Sequence, residues 1–357
     1  MIKLQRKHTK KNLSIFKRIR KQILFWLRLS DRPIVKVYNS YGNNSHIIVM
    51  GHVLKFGPTP RRHYRKFFLP NMLAVFRLFM VRPWVGVTVQ MEWEGVKYTS
   101  HTEQDGFYKI QFEPSVQVPP GWYKIQVTIE TTVLGHNTGY GELYVPYPYQ
   151  FAFISDIDDT FLVSHSSKLR RRLYVLFTKN ARNRRPFEGV VNHYKLLSEN
   201  GAAQDTNNPF FYVSSSEWNL YDFIIEFSRA NKMPKGVFLL NQMKTFSQVF
   251  LSGQNKHSTK FFRIVRIVES YPQQQYVLLG DDSQEDPNIY ESIVNHFPGK
   301  IYAVYIRHVS KKNEGIVKNT LSRIEEKGVS CCYFVHSAEA ILHSKKINLI
   351  ENKGLKL

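Results

Sequence analysis

The stretch FAFISDIDDTFLV, residues 151–163, decides the fold because an apolar run ends in three aspartates within four positions. FAFIS has the length and composition of a buried strand, and Asp156, Asp158 and Asp159 follow it directly. Side chains two positions apart on a strand share a face, so Asp156 and Asp158 point into one crevice while Ile157 turns away. Two carboxylates this close repel each other unless a cation neutralises them, and Mg²⁺ prefers such oxygen ligands.

Further apolar runs follow this one, and stretches that can be helical separate them. The runs are FAFIS (151–155), FFYVS (210–214), GVFLL (236–240), YVLLG (276–280) and IYAVYI (301–306), and the helical stretches are 187–200, 217–231, 257–270 and 286–297. Near-continuous apolar strands that alternate with helices predict a parallel sheet covered on both faces. Ligands of such sheets bind at the carboxyl ends of the strands, which is where the first aspartates lie.

Other polar residues follow the later strands in the same way. Ser214 ends the second strand, Asp281 and Asp282 end the fourth, and Asp286 lies just beyond. NKHSTKFFRIVRIV begins a helix and places Lys260 in its first turn. The aspartates after residue 155 taken alone also fit an acidic loop in which Thr160 caps a turn. An acid pair, a hydroxyl, a lysine and a second acid cluster on successive strand–helix units form a much stronger signal.

These segments resemble the haloacid dehalogenase superfamily and, within it, the actin-patch-type phosphatidate phosphatases and their bacterial relatives. The residues that carry the resemblance are SDIDDT (155–160), KNARNRRPFEGV (179–190), FYVSSSEWNLYDF (211–223), KHSTKFFRI (256–264) and LLGDDSQEDPNIY (279–290), and VYNSYGNNSHIIVMGHVL (37–54) is similar to that family's β-domain. The resemblance covers about residues 35–310. Glu217 and Asp282 depart from it, because many relatives have proline and serine there.

The resemblance implies a role for each matched residue. Asp156 is expected to attack phosphate and form an aspartyl-phosphate, and Asp158 to act as general acid and then base. Ser214 is expected to donate to a phosphoryl oxygen, and Lys260 to neutralise charge. Mg²⁺ is the implied cofactor, and its candidate ligands are Asp156, Asp158, Asp281, Asp282 and Asp286. Two alternatives stay open: Ser215 or Ser216 in place of Ser214, and Lys256 in place of Lys260.

The segment after the first strand, 163–189, mixes basic and apolar residues beside the expected crevice. Together with Ser215, the candidate residues for binding substrate are Lys168, Arg170, Arg171, Arg172 and Arg185. Neither gap where this superfamily carries a cap domain is long enough for one, so we expect an open site suited to a lipid substrate. The expected substrate is phosphatidate. A soluble or macromolecular phosphoester, or a non-catalytic adaptor that binds anionic membrane, are the alternatives.

The chain of 357 residues has a formal net charge of +22, and half of it lies at the N-terminus. Residues 1–36 hold twelve Lys or Arg against one acid, Asp31. Apolar residues at near-helical spacing (Ile15, Ile19, Ile23, Trp26 and Leu27) lie among these charges, which is typical of a basic helix that binds a membrane surface. A solvated helix that packs on the body, or a disordered basic arm, is the alternative.

We find no nucleic-acid-binding motif and expect no specific nucleic acid partner.

Three segments are therefore expected. Residues 1–32 form the basic amphipathic segment, 33–150 a small β-sandwich like those of immunoglobulin domains, and 151–357 an α/β Rossmann-like domain of haloacid dehalogenase type. Short runs rich in β-branched and aromatic residues, separated by turn signals, support the second assignment.

The two cysteines, Cys331 and Cys332, are adjacent, so no disulfide framework is expected. Without a long apolar run, we expect a cytoplasmic protein peripheral on the inner face of the membrane.

Overall fold

The computed structural model describes residues 22, 29–30, 32–58, 77–131, 135–157, 187–200, 207–243 and 257–351. The predicted basic segment over residues 1–32 therefore lies almost wholly outside the described residues, although Leu29–Ser30 within it form a short strand. The division of the chain at residues 33 and 151 stays a prediction. No helix in the described ranges is both long and apolar enough to cross a membrane.

The first half of the chain forms a mixed sheet around one long strand, β4. The described strands are β1 (Leu29–Ser30), β2 (Ile34–Val37), β3 (Ser40–Gly42), β4 (Ile47–Pro58), β5 (Arg82–Pro83), β6 (Thr88–Trp93), β7 (Val96–His101), β8 (Phe107–Phe112), β9 (Gly121–Thr131) and β10 (Gly135–Val145), with a 3₁₀ turn at Arg77–Phe79. The sheet order is β1-β4-β3-β10-β9-β6-β7, and β2, β5 and β8 also pair with β4. All these pairs are antiparallel except β3 with β10.

Alternating burial explains why these segments are strands. In β8 the side chains of Tyr108, Ile110 and Phe112 are buried, and Lys109 and Gln111 between them are exposed. This period of two puts apolar side chains on one face of the sheet, where they pack with those of other strands. The assignment of this layer to an immunoglobulin-like β-sandwich stays a prediction.

The second half is a six-stranded parallel sheet with helices. Its strands are β11 (Phe151–Asp156), β12 (Phe210–Glu217), β13 (Gly236–Asn241), β14 (Gln275–Asp281), β15 (Ile301–Arg307) and β16 (Ser330–Phe334). Its helices are α1 (Val190–Glu199), α2 (Tyr221–Ala230), α3 (His257–Ser270), α4 (Asp286–His296), α5 (Glu314–Glu325) and α6 (Ser337–Lys346), with 3₁₀ turns at Trp218–Leu220 and Lys311–Asn313. The five predicted strands and four predicted helices are confirmed, and β16, α5 and α6 were not predicted.

The strand order places a crevice beside β11. The order is β13-β12-β11-β14-β15-β16, and every neighbouring pair is parallel. The chain builds outward from β11 to β13 and then returns to the other side of β11 to begin β14. The order of the strands therefore reverses between β11 and β14, and open α/β sheets bind ligands beyond the carboxyl ends of strands at such a point.

Aromatic stacking joins the two sheets. Tyr38, in the link between β2 and β3, stacks on Trp218 with ring centroids 4.1 Å apart and planes 8° from parallel. Lys36 Nζ lies 2.7 Å from an Asp222 carboxylate oxygen, and the Asn39 backbone N–H donates to the Tyr221 hydroxyl at 2.8 Å. Because Tyr38 and Trp218 are buried, the mixed sheet covers part of the 3₁₀ turn and α2 that follow β12.

A buried histidine ties α1 to α6 behind the parallel sheet. His193 Nε2 lies 2.9 Å from Ser344 Oγ, and the Tyr305 hydroxyl lies 2.7 Å from the same oxygen. Ser344 in turn donates to the Ala340 carbonyl oxygen at 2.8 Å. The imidazole of His193 is closed off from water, so its charged form is strongly disfavoured.

Replacing His193 with glutamine should flatten the pH dependence of stability on the acid side. Burial, and then the positive charge of Arg307, lower the pKa of His193 from 6.5 to about 3. As the pH falls below 6.5, His193 becomes protonated in the unfolded chain but stays neutral in the folded chain. The free energy of unfolding therefore drops by about 1.4 kcal/mol per pH unit. Denaturant unfolding of native protein and variant across this range measures both slopes, and equal slopes would contradict the account.

Candidate active site

Asp156 ends β11 at the point where the strand order reverses. Its side chain is only 1% exposed. It pairs in register with Val213 of β12, while the preceding residue, Ser155, pairs with Leu279 of β14. A buried carboxylate without partners is costly, so the groups around Asp156 decide whether it can carry charge.

Lys260 supplies that partner from the first turn of α3. Its ammonium nitrogen donates to Asp156 Oδ1 at 2.7 Å and also to Asp286 Oδ1. Burial by itself favours the neutral amine, but the two carboxylates outweigh it and raise the pKa of Lys260 above its usual value. Lys260 is therefore a permanent cation between two acids that come from β11 and α4. Lys256, the competing candidate, lies outside the described residues.

Three carboxylates meet at this point. Asp156, Asp281 and Asp286 are all buried, and each offers an oxygen within 4.8 Å of the others. Gly280 allows the close approach, because a side chain there would lie 2.6 Å from Asp286 Oδ2 and 2.8 Å from the Tyr290 ring. Three hard oxygen donors from three segments form a set that fits a divalent cation such as Mg²⁺.

Asp282 turns away from this cluster. Its Oδ1 accepts from the backbone N–H groups of Val309 and Ser310, each at 2.8 Å. Its Oδ2 lies 2.7 Å from both His308 Nδ1 and the Tyr333 hydroxyl. Asp282 and Asp286 were both predicted to support Asp281 at the metal, and the geometry favours Asp286. Asp282 instead hydrogen-bonds the loop after β15.

Ser214 follows Val213, the register partner of Asp156, and is fully buried. Its hydroxyl oxygen accepts from the Ser216 backbone N–H at 2.8 Å, in the irregular part of β12. Ser215 is also buried, at the same strand end. The structure therefore brings Ser214 to the carboxyl end of the strand next to β11. The role of Ser214 as the phosphate ligand, with Ser215 or Ser216 as its alternative, stays a prediction.

Arg263 is a residue of the site to which the sequence analysis gave no role. Its guanidinium donates to the Ser214 carbonyl oxygen at 3.0 Å and to Asn241 Oδ1 at 3.1 Å. Burial, and then the charge of Arg266, lower its pKa to about 10. Arg263 thus ties the ends of β12 and β13 to the helix that carries Lys260. The signal was available, since residues three apart on a helix share a face.

The remaining predicted site residues lie outside the described residues. They are Asp158, Lys168, Arg170, Arg171, Arg172 and Arg185. Their predicted roles, as general acid with metal contact and as substrate-binding residues, stay predictions.

Comparison with known proteins finds one family model and several relatives that resemble the chain. Residues 151–308 match a family model described as the catalytic domain of phosphatidate phosphatase APP1. Phosphatidate phosphatase APP1 of Saccharomyces cerevisiae is 30% identical over 189 residues, which are 52% of this chain and 31% of that protein. An uncharacterized protein of Schizosaccharomyces pombe is 22% identical over 174 residues, 48% of this chain and 27% of that protein.

These matches support the predicted resemblance to the APP1 family and the prediction of a phosphatase enzyme. The chain spans about a third of the length of the curated relatives that it matches. The assignment to the haloacid dehalogenase superfamily stays a prediction.

Solved structures resemble the chain only loosely. A carbohydrate acetylesterase from Xanthomonas citri gives a TM-score of 0.32 at 8% identity, over 88% of this chain and 75% of that one. An immunoglobulin-like domain of the M. primoryensis ice-binding adhesin gives 0.17 at 14% identity, over 29% of this chain and 78% of that one. Likenesses this weak carry no argument about the fold.

Replacing Lys260 with methionine should destabilise the protein by about 3–5 kcal/mol, because it leaves buried carboxylates without their cation. Denaturant unfolding at neutral pH measures the loss. The matched control is Lys318→Met, which removes a lysine from an exposed pair with Glu314 and should leave stability nearly unchanged. Added Mg²⁺ should recover more stability in Lys260→Met than in native protein, since it neutralises the same acids. Equal effects of the two substitutions would contradict this assignment.

Proposed function

Starting from the match of residues 151–308 to the APP1 catalytic domain, we propose that the chain is a Mg²⁺-dependent phosphatidate phosphatase. It hydrolyses phosphatidate to diacylglycerol and phosphate through an aspartyl-phosphate. The observation that carries the proposal is the buried pair of Asp156 and Lys260, 2.7 Å apart, inside a cluster of three carboxylates at the reversal of strand order.

The first half of the reaction transfers the phosphoryl group to the protein. An Asp156 oxygen attacks phosphorus, and the bond from phosphorus to the glycerol oxygen breaks. Asp158 gives its proton to that oxygen, so diacylglycerol leaves as a neutral alcohol. Lys260 holds Asp156 in place as a carboxylate and supplies positive charge where the phosphate oxygens gather.

The second half returns the protein to its starting state. Asp158, now a carboxylate, takes a proton from a water molecule as the water oxygen attacks phosphorus. The bond between phosphorus and Asp156 breaks, inorganic phosphate leaves, and the Asp156 carboxylate and the Asp158 proton are restored. Ser214 is the proposed donor to a phosphoryl oxygen in both halves.

The donor set supports the proposed metal. Asp156, Asp281 and Asp286 would hold Mg²⁺, together with the backbone carbonyl of Asp158. The ion, when bound, neutralises charge on phosphate and carboxylate oxygens. Lys260 shares two of these acids, so the site balances several negative groups with a fixed cation and an exchangeable one.

The fold proposed for this half is that of the haloacid dehalogenases. The parallel sheet, the reversal of strand order at β11 and the acids at the ends of β11 and β14 support the proposal. The first half is proposed to be a β-sandwich, and its many antiparallel pairs around β4 support that reading.

The proposal of a lipid substrate rests on the similarity to the yeast relative and on the composition of residues 163–189 and of the N-terminal segment. That relative is a phosphatidate phosphatase. The basic and apolar residues between 163 and 189, including Lys168, Arg170, Arg171, Arg172 and Arg185, are proposed to contact headgroup and glycerol. The basic N-terminal segment is proposed to hold the protein at the inner face of the membrane. A soluble phosphoester substrate remains the second candidate, because it needs the same catalytic residues.

Phosphate release from phosphatidate in mixed micelles with Mg²⁺ tests the proposal. Asp156→Asn should lower turnover by at least about a thousandfold because it removes the nucleophile. Asp158→Asn should lower it by about 10²- to 10⁴-fold. Glu325→Gln, an exposed acid on α5, is the control and should leave turnover unchanged.

A water-soluble phosphoester serves as second substrate in the same assay. Turnover of the soluble ester alone would keep the chemistry and reject the lipid. Turnover of neither substrate would reject the enzyme and favour an adaptor that binds anionic membrane.

A further inference from the structure

Exposed apolar and basic side chains occur in the segments that follow the ends of β15 and β16. We call them the strand-end ledge, and its members are Val309, Lys311, Lys312, Ile316 and Val335. Val309 is 39% exposed, Val335 49% and Ile316 67%. Neither the proposed chemistry nor the packing of the parallel sheet uses these side chains.

The sheet register puts the ledge at the same edge as the carboxylate cluster. Arg307 pairs with Asp281 on one side and with Phe334 on the other. The next residue, His308, donates its backbone N–H to the Phe334 carbonyl oxygen at 2.7 Å. Val309 and Val335 therefore follow two paired strand ends, about 5–10 Å to the side of Asp281, given a strand spacing of about 4.8 Å.

The buried acid Asp282 holds the ledge in place. It accepts from the backbone of Val309 and Ser310, and its carbonyl oxygen accepts from Asn313 Nδ2 at 2.6 Å. These bonds fix both ends of the short segment that carries Lys311 and Lys312. The apolar side chain of Val309 is thus presented to solvent by a rigid loop that is built on the residue next to Asp281.

The net positive charge of the ledge favours binding to a negatively charged surface. From 309 to 318 the chain has three lysines and one acid, Glu314, which pairs with Lys318 at 2.7 Å. Among the described residues neither Lys311 nor Lys312 forms a salt bridge, although Lys311 adds, more weakly than Lys318, to the positive charge around Glu314. Apolar side chains that project between exposed lysines match the boundary of an anionic bilayer, which offers acyl chains beside negative headgroups.

We propose that the strand-end ledge docks the open edge of the parallel sheet on an anionic phospholipid membrane. The inference rests on the proposed lipid phosphatase function, since it explains how the carboxylate cluster meets a substrate that stays in its bilayer. It adds a second membrane contact to the one proposed for the N-terminal segment. This contact sets the orientation of the site, whereas a terminal segment only tethers the chain.

A fluorescent label that responds to an apolar environment tests this orientation. The label is attached to the full chain carrying Val309→Cys or Val335→Cys, with Leu342→Cys as control. Burial raises the pKa of the native thiols of Cys331 and Cys332 to about 12, so maleimide reacts preferentially with the introduced cysteine. Vesicles of phosphatidylcholine with phosphatidylglycerol serve as the membrane and contain no phosphatidate.

Leu342 is a matched control because it is 67% exposed and lies toward the opposite edge of the sheet. The Tyr302 hydroxyl, at the start of β15, donates to the carbonyl oxygen of Ile347, just beyond α6. Labels at 309 and 335 should brighten and shift to the blue on anionic vesicles, and the label at 342 should not. A response at 342 equal to that at 309, or no response at 309 and 335, would overturn the proposal.

Paired lysine substitutions give a second readout. Lys311→Gln with Lys312→Gln should raise the lipid concentration needed for the signal at 309 by about thirtyfold, from the electrostatic contribution of two lysines. Lys345→Gln with Lys346→Gln removes the same charge at the end of α6 and should leave it unchanged. If both double substitutions raised the required lipid concentration equally, only the net charge of the protein would matter. That result would contradict the proposed membrane contact of the strand-end ledge.

Failure of the ledge and failure of the proposed function remain distinguishable. The vesicle signal requires no turnover, and phosphatidate hydrolysis in micelles requires no bilayer. Hydrolysis in micelles without the label signal rejects only the ledge. A label signal without hydrolysis rejects the phosphatase and leaves a membrane-oriented binding surface.

Discussion

The site depends on one electrostatic constraint, the burial of several negative groups at the end of a parallel sheet. Lys260 meets the constraint by donating to Asp156 and Asp286 at once, and the three come from elements far apart in the chain. Charges held away from water interact strongly, so the same contacts that make the cluster tolerable also fix where α3 and α4 sit against β11. Stability and the proposed chemistry therefore share these contacts, and Arg263 extends them to the ends of β12 and β13.

Two neighbouring aspartates at the end of β14 have different partners. Asp281 joins the carboxylate cluster, and Asp282 binds the backbone of the loop after β15. Adjacent residues on a strand face opposite sides, so this division follows from the pleat itself. Its consequence is that the loop after β15 is hydrogen-bonded to the residue next to Asp281. A membrane contact at Val309 would therefore orient the carboxylate cluster as well as the loop.

The sequence predicted the parallel strands because their apolar runs are unbroken, and it predicted Asp156, Lys260 and Asp281 because they follow strands or begin a helix. It left Asp282 and Asp286 undecided, since the choice depends on the loop after β15 and on Tyr333 of a strand that was not predicted. The pairing of β1, β5 and β8 with β4 is non-local, and short alternating runs do not reveal it. The spacing of Arg263 from Lys260 indicated the face of α3 on which it lies, but not its contacts, because its partners Ser214 and Asn241 end two different strands.

The central claim is that Asp156 becomes covalently phosphorylated, and a trapping experiment tests it most directly. Native protein is mixed with phosphatidate and Mg²⁺, quenched in acid within the first turnovers, and digested for mass spectrometry. The account predicts a phosphoryl group on Asp156, in the peptide that contains SDIDDT. Steady hydrolysis with no phosphorylated Asp156, or with the phosphoryl group on another residue, would contradict the account.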